Sequence, residues 1–281
     1  MSPAGAVVTG AGRGLGKEIA RLLVDRGYQV LVTDVDAAAA QRTADELGAV
    51  AMPVDVRDYS QIAAARDAAL ARAGRLDVWV NNAGVLVTGP AWEQDESTRR
   101  LMIEVNAIGT MNGTVAAIES MRDDGGHIVN IVSLAGLTAV AGEAVYAASK
   151  HAAIGFSLST MADLKAAGTS NIDISCVCPD GVWTPMLYDK LDDPASALSF
   201  SGKLLQPAEV VAAVAKVLDR PALVTAVPGW RGAVARLADA LPRLGLAAVP
   251  LVVAQGRRAQ RRLRNAESVP PIGRTPHARR R

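Results

Sequence analysis

Tyr146 and Lys150, four residues apart in Tyr146-Ala147-Ala148-Ser149-Lys150, share one face of a helix, so the ammonium can sit beneath the phenol. A phenol alone titrates near pH ~10, and a neighbouring cation favours its phenolate, which makes the pair a usable acid and base. In isolation such a pair is ordinarily a helix face with a snorkelling lysine. Here it follows Ser133, which ends the apolar run His127-Ile128-Val129-Asn130-Ile131-Val132. That run reads as a buried strand, and its C-terminal end is the edge where open α/β sheets bind ligands. A second group lies near the start of the chain. Ala6-Val7-Val8-Thr9 breaks into Gly10-Ala11-Gly12-Arg13-Gly14-Leu15-Gly16, and a helix with apolar Ile19, Ala20, Leu22 and Leu23 follows. Strand, glycine turn and helix N-terminus form a pyrophosphate cradle, because the backbone can approach closely and the free N–H groups and helix dipole meet the charge. A lone glycine turn is weak evidence. The next strand, Gln29–Thr33, strengthens it by ending at Asp34, about twenty residues on, where a carboxylate accepts from a ribose and repels a 2′-phosphate. Arg13 pulls the other way, since a cation in the turn could serve an added phosphate.

The elements that must hold these residues alternate. A helix over Ala37–Leu47 leads to a strand through Val54 that ends at Asp55-Val56; a helix from about Tyr59 to Arg72 leads to Leu76–Val80 and then Asn81-Asn82-Ala83-Gly84. A helix beginning near Gln94 carries Asn106, and later strands follow over Ile172–Cys178 and Leu223–Val227, with a helix over Pro207–Leu218 between them. The pattern predicts an α/β fold, a doubly wound parallel sheet of seven strands flanked by helices on both faces. Half of the residues are hydrophobic and 4% aromatic, which suits strands buried on both sides. The length of 281 residues suits one large domain, 1–228, with a helical C-terminal extension, 229–281.

Thr9-Gly10-x-x-x-Gly14-x-Gly16, Asn81-Asn82-Ala83-Gly84, Asn106, Ser133 and Tyr146-x-x-x-Lys150, in this order and spacing, resemble the short-chain dehydrogenase/reductase family over about residues 4–228. The resemblance implies a Rossmann-type, NAD(P)-dependent oxidoreductase. It places Gly10, Gly14 and Gly16 at the pyrophosphate, with Gly12, Arg13 and Leu15 also against the cofactor, Asp34 at the adenosine ribose, Asp55 and Val56 at the adenine, and Asn82, Ala83 and Gly84 on the cofactor's floor. It gives Asn106 a water in a proton relay, Ser133 the substrate oxygen, Tyr146 the acid/base role, and Lys150 both the nicotinamide ribose and the lowering of the tyrosine's pKa. Hydride passes between the carbinol carbon and the nicotinamide while Tyr146 takes or returns the proton. Pro179, Val182 and Thr184 keep the spacing for carboxamide and phosphate contacts, although Asp180 interrupts the usual Pro-Gly pair. NAD is expected over NADP because of Asp34. An NADP-dependent ketone reductase and a non-catalytic NAD-binding scaffold remain as alternatives.

The substrate pocket is expected from Ser133, Leu134, Tyr146, Trp183, Met186 and Leu187, with Leu137, Val140 and Trp92 nearby, and the long Trp183–Gln206 connection as a lid. Such a mostly apolar pocket suits a lipophilic secondary alcohol or ketone, steroid-like or lipid. His127, His151 and His277 have no required role, no metal cluster presents itself, and Cys176 and Cys178 read as core fillers that agree with a cytoplasmic setting. No secretory leader and no run of ~20 apolar residues is apparent. Residues 229–281 carry twelve arginines against Asp239 and Glu267, so +10 of formal charge sits there and −8 on the rest. An apolar Leu246–Ala254 segment interrupted by Pro250 and followed by arginines suggests peripheral contact with an anionic membrane, or packing on a neighbouring subunit, ahead of a disordered tail. The acidic body argues against nucleic acid, and the family resemblance implies a homodimer or homotetramer through the helices at Glu96–Met121 and Glu143–Ala167.

Overall fold

Seven short apolar segments lie side by side in parallel: β1 (Gly5–Val8), β2 (Gln29–Asp34), β3 (Val50–Pro53), β4 (Leu76–Asn81), β5 (Gly126–Ile131), β6 (Ile172–Pro179) and β7 (Val224–Val227), in the order β3-β2-β1-β4-β5-β6-β7. The structure is a computed structural model that describes residues 4–265. The expected tail, with Pro270, Pro271, Gly273, Pro276 and His277, lies outside the described residues. Side chains alternate across the sheet with the period of two that a pleated strand imposes. Ala6, Val8, Val30, Val32, Val78 and Val80 face one apolar layer, and Val7, Leu31 and Trp79 face the other.

Helices α1 (Gly14–Asp25) and α2 (Ala37–Leu47) cover the first face, and α3 (Tyr59–Ala73) the second. Their bounds follow from end chemistry. Asp36 and Asp58 cap α2 and α3 by accepting from Ala39 N at 3.0 Å and Ser60 N at 2.9 Å, and Gly48 and Gly74 close them in the left-handed conformation. Asp95 caps α4 (Glu96–Ile103), which runs through a π-helical turn, Glu104–Ile108, into α5 (Gly109–Met121). This composite helix starts two residues later than its Gln94 expectation. It is also apolar enough by composition to cross a membrane, with a stretch of mean hydropathy 1.2, half of it buried in the domain. Helix α6 (Ala144–Ala166) follows Ser133 and carries Tyr146 and Lys150, and α7 (Pro185–Tyr188), a 3₁₀ turn (Pro194–Phe200) and α8 (Pro207–Asp219) complete the chain up to β7.

The strand order reverses between β1 and β4, so their C-terminal ends diverge into loops that leave a crevice, the place where such sheets bind ligands. The glycine turn, Asp34, Asn82, Ser133 and Pro179 all stand at strand C-termini on this edge.

After β7 come α9 (Gly229–Ala240) and α10 (Pro242–Asn265). The expected interruption at Pro250 does not occur: α10 runs through it. Pro250 is exposed, so water can serve the carbonyl that loses its N–H partner. The far half of α10 lies on the Pro194–Phe200 turn. Gln260 donates to Asp193 O and Ser196 Oγ, both at 2.9 Å, and a Cβ at Gly256 would collide with the carbonyl of Ala197.

Candidate active site

Three of the glycines expected at the phosphate turn have backbone reasons to be there. Gly10 and Gly14 hold φ of +61° and +58°, and a Cβ at Gly16 would strike Gly10 O and Asn82 Nδ2. Thr9 and Asn82 latch this turn to the end of β4. Thr9 Oγ1 accepts from Asn82 N at 3.0 Å and Ala83 N at 3.1 Å, while Asn82 Nδ2 donates to Thr9 O and Gly10 O at 3.0 Å. Unlike α2, α3 and α4, helix α1 receives no side-chain cap, since its N-cap residue is Arg13. Its first-turn N–H groups are therefore left for an anion. Asp34 braces the turn from the next strand: Oδ2 accepts from Gly12 N at 2.9 Å and Oδ1 from Asp36 N at 3.0 Å. Asp55 is bound by Arg57, whose guanidinium holds the carboxyl below its usual range.

At the other end stand Ser133, Tyr146 and Lys150. Lys150 Nζ donates to Ile131 O at 3.1 Å and lies 5.7 Å from the centroid of the Tyr146 ring. Ser133 is extended and its Oγ accepts from Ala135 N at 3.1 Å. The expected lowering of the phenol's pKa is not what this geometry gives. Tyr146 is 8% and Lys150 4% exposed, and loss of water is the largest influence on each. Burial, with the carboxyl of Glu143 adding to it, raises the tyrosine above its ordinary value, and burial pushes the lysine down to about 8.

Asn106 sits in the π-helical turn with no exposure, and both ends of its amide are occupied. Oδ1 accepts from Val85 N at 2.8 Å, and Nδ2 donates to Val85 O at 2.9 Å and Ser149 Oγ at 3.0 Å. The side chain thus clamps the loop after β4 beside Lys150. A π-turn inside an α-helix is a frequent mark of a functional position.

The glycine turn, Ser133, Tyr146 and Lys150 open on one cavity of about 1670 Å³, which Asn106 does not line. A single small ligand ordinarily occupies ~300–1,000 Å³, so the space admits two molecules side by side. Gly10, Arg13, Gly14, Leu15, Gly16, Asp34, Asp55, Val56, Asn82, Ala83, Gly84, Pro179, Val182 and Thr184 line one half of it; Ser133, Tyr146 and Lys150 stand at the middle; Leu134, Val140, Met186, Leu187 and Leu198 line the remainder. Four expected residues lie elsewhere. Gly12 turns toward Asp34 and Ala39 and lines a small separate recess. Trp183 stacks on Tyr188, ring centroids 5.2 Å apart, in a cluster with Leu191 and Phe200. Leu137 packs behind Ser133 with Val132 and Ile154, and Trp92 is 85% exposed. The Trp183–Gln206 lid is accordingly divided: Met186, Leu187 and Leu198 face the cavity, and Leu191 and Phe200 hold the segment down.

Sequence reasoning missed three contributors. Val234, Ala238, Leu246 and Val249 of α9 and α10 form a wall of the same cavity; their helical spacing was visible, but which body they face was not. Arg231 Nε reaches Asp180 Oδ2 at 2.7 Å and its Nη2 donates to Ser201 Oγ at 3.2 Å, so the residue that interrupts the Pro-Gly pair anchors α9. Glu143, just ahead of α6, is 2% exposed and also lines the cavity. Among the described residues no group of His, Cys, Asp or Glu could hold a metal, and Cys176 and Cys178 are buried free thiols.

A family model described as short chain dehydrogenase matches residues 4–195. Trans-4-hydroxycyclohexanecarboxylate dehydrogenase of Sinomonas cyclohexanicum is 36% identical over 192 residues, 64% of this chain and 73% of that protein. L-fucose dehydrogenase of Bos taurus is 32% identical over 219 residues, 74% of this chain and 80% of that protein. A solved short chain dehydrogenase/reductase from Burkholderia phymatum, in complex with NAD, superimposes with a TM-score of 0.77 at 28% identity, over 87% of this chain and 95% of that one.

Proposed function

The chain belongs to the short-chain dehydrogenase/reductase family, and from that premise we propose that it is an NAD-dependent oxidoreductase interconverting a lipophilic secondary alcohol and its ketone. The observation that carries this reading is that one cavity joins an uncapped glycine turn to Ser133 and the buried Tyr146–Lys150 pair. The residues fit the cofactor: the glycine turn leaves a cradle that side chains would fill, and Asp34 keeps a carboxylate where a ribose hydroxyl would lie. When bound, NAD supplies hydride acceptance and return.

The protein's own groups do the rest. Gly10, Gly14 and Gly16 with the first turn of α1 bind the pyrophosphate, and Asp34 binds the ribose and disfavours an added phosphate. Lys17 and Arg21, the cations on the following turns, are tied to Glu46. Arg13 in the turn is exposed and is the group that would favour NADP. Lys150 serves the second ribose, and Asn106 positions Gly84 and Val85 against it. Ser133 Oγ donates to the substrate oxygen, and Tyr146 Oη gives the proton to a nascent alkoxide or takes it from the alcohol. The apolar wall of Leu134, Val140, Met186 and Leu246 excludes water and suits a lipophilic substrate. The two relatives named above act on a ring hydroxy acid and a sugar, so the substrate class is argued from this cavity and not from them.

Residues 229–265 are read as part of the same catalytic unit. Self-association is proposed through α5, the π-turn ahead of it and α6, whose outer faces expose Val115, Ile108 and Leu158 by about two-fifths each. On α9, α10 and the residue between them, Leu237, Leu241, Leu244 and Leu251 are exposed by 47–74%, in a segment that also carries Arg243, Arg257 and Arg258. An apolar row flanked by arginines fits an anionic lipid surface, where a lipophilic substrate would be dissolved.

Turnover on a panel of lipophilic secondary alcohols, read as NADH formation, tests the activity. No turnover on any of them with NADH binding retained favours the scaffold alternative. NADPH binding tighter than NADH by about tenfold, worth ~1.4 kcal/mol, would overturn the assignment of Asp34.

A further inference from the structure

Several acids and Lys190 line the cavity beyond Tyr146, but only one of the acids is deeply buried without a cation beside it. Asp180 is already paired with Arg231, and Asp189 and Asp239 are exposed at the rim. Glu143 differs: it is 2% exposed, lines the cavity, and stands three residues before Tyr146, on the same side of α6. Its Oε1 accepts from the hydroxyl of Ser199 in the Pro194–Phe200 turn. Oε2 has no hydrogen-bond partner among the described residues and is not one of the side-chain atoms sealed from solvent without a partner, and the residue lines the cavity.

Resting on the dehydrogenase reading above, we propose that Glu143 is a specificity-determining residue that receives a hydrogen-bond donor, a hydroxyl or an ammonium, carried by the substrate close to its carbinol carbon. A buried carboxylate oxygen without a donor is costly, and a purely hydrocarbon substrate would shut it off from water without replacing that water. A substrate with a second polar group beside the reacting carbon meets the need at a single point, while its remaining skeleton contacts the apolar wall. The surroundings agree. Tyr146 and Lys150 on its own helix, Asp180 at the end of β6 and Asp193 ahead of the 3₁₀ turn surround Glu143, Lys150 is held by Ile131 O, and Arg231 is engaged by Asp180. Burial together with these acids raises Glu143 to about 7, and no cation of the protein answers its charge. The ionised Glu143 would repel a carboxylate on the substrate, so a hydroxy acid is disfavoured at this position above about pH 7.

The test compares matched pairs with the full-length enzyme and NAD: cyclohexanol against vicinal cyclohexanediol, indanol against vicinal indanediol, and vicinal aminocyclohexanol. The wild type should prefer the diol within each pair by about tenfold or more in kcat/KM. Glu143→Leu should erase that preference while NADH binding is unchanged. Glu143→Gln should keep the diol preference and lose the amino alcohol at about pH 8, above the titration of the acid; this variant decides the matter if the leucine variant does not fold. Equal kcat/KM within the wild-type pairs, or a diol preference that survives Glu143→Leu, overturns the proposal. An equal fall for both members of each pair means that Glu143 only holds the Ser199 turn, and also overturns it. If the wild type binds NADH and oxidises none of these alcohols, the dehydrogenase reading itself has failed.

Discussion

Burying Tyr146 and Lys150 together moves both away from their ionised forms, and this sets the direction in which the site works at neutral pH. The phenol stays protonated and ready to donate, so ketone reduction should hold steady between roughly pH 6 and 8, while alcohol oxidation should climb over the same window because it needs the phenolate. Oxidation that falls as pH rises would contradict this. Glu143 gives a stability prediction of definite sign. Its folded value of about 7 lies above the ordinary 4.5, so the native state holds a proton that the unfolded chain releases, and stability falls as pH rises from about 4.5 to 7. Glu143→Gln should therefore gain Tm relative to wild type between pH 5 and 8, by at most roughly 3 kcal/mol in free energy; an unchanged difference across that range would be evidence against the burial argument. At this scale the pairing of Tyr146 with Lys150 was legible from spacing alone. Its electrostatics were not, because the dielectric around a side chain is fixed by residues far away in the chain, and Asn106 likewise showed its clamp on Val85 only once the π-turn was formed.

Elements were legible where local chemistry sets them. The Asp36 and Asp58 caps and the Gly48 and Gly74 closures mark α2 and α3 in the sequence, and the glycine turn announces α1. The path of the chain after β7 was not, since nothing local tells Val234 or Leu246 which surface to meet. Two substitutions probe this region. Gly256→Val should force α10 off the Pro194–Phe200 turn, costing about 1–3 kcal/mol and lowering Tm by several degrees; a Tm unchanged within error would mean that the packing is incidental. Arg231→Ala should leave Asp180, whose side chain is 10% exposed, without its partner at the turn after β6. Because the arginine is itself partly exposed, the cost should be about 2 kcal/mol rather than the larger value of a fully buried pair. The KM for cofactor should rise severalfold, and an unaltered KM would argue against a positioning role.

For the whole molecule, a parallel sheet brings five strand ends to one edge, and the C-terminal helices close that edge into a cavity large enough for two ligands. The same helices present the apolar row. Leu244→Glu with Leu251→Glu should abolish co-sedimentation with anionic vesicles at low salt and leave turnover of water-soluble alcohols intact; if wild type ignores the vesicles, or the pair instead breaks up an oligomer, the lipid assignment gives way to packing on a second copy. The central claim is that the buried phenol moves the proton of the reaction. Tyr146→Phe keeps the ring and its packing and removes only the hydroxyl, so measuring NADH binding and turnover on the same preparation tests that claim directly. The expected result is unchanged NADH affinity with turnover reduced by at least ~10²-fold, the lower bound for general acid–base catalysis; a variant that keeps a substantial fraction of the wild-type rate, about a third, would contradict it.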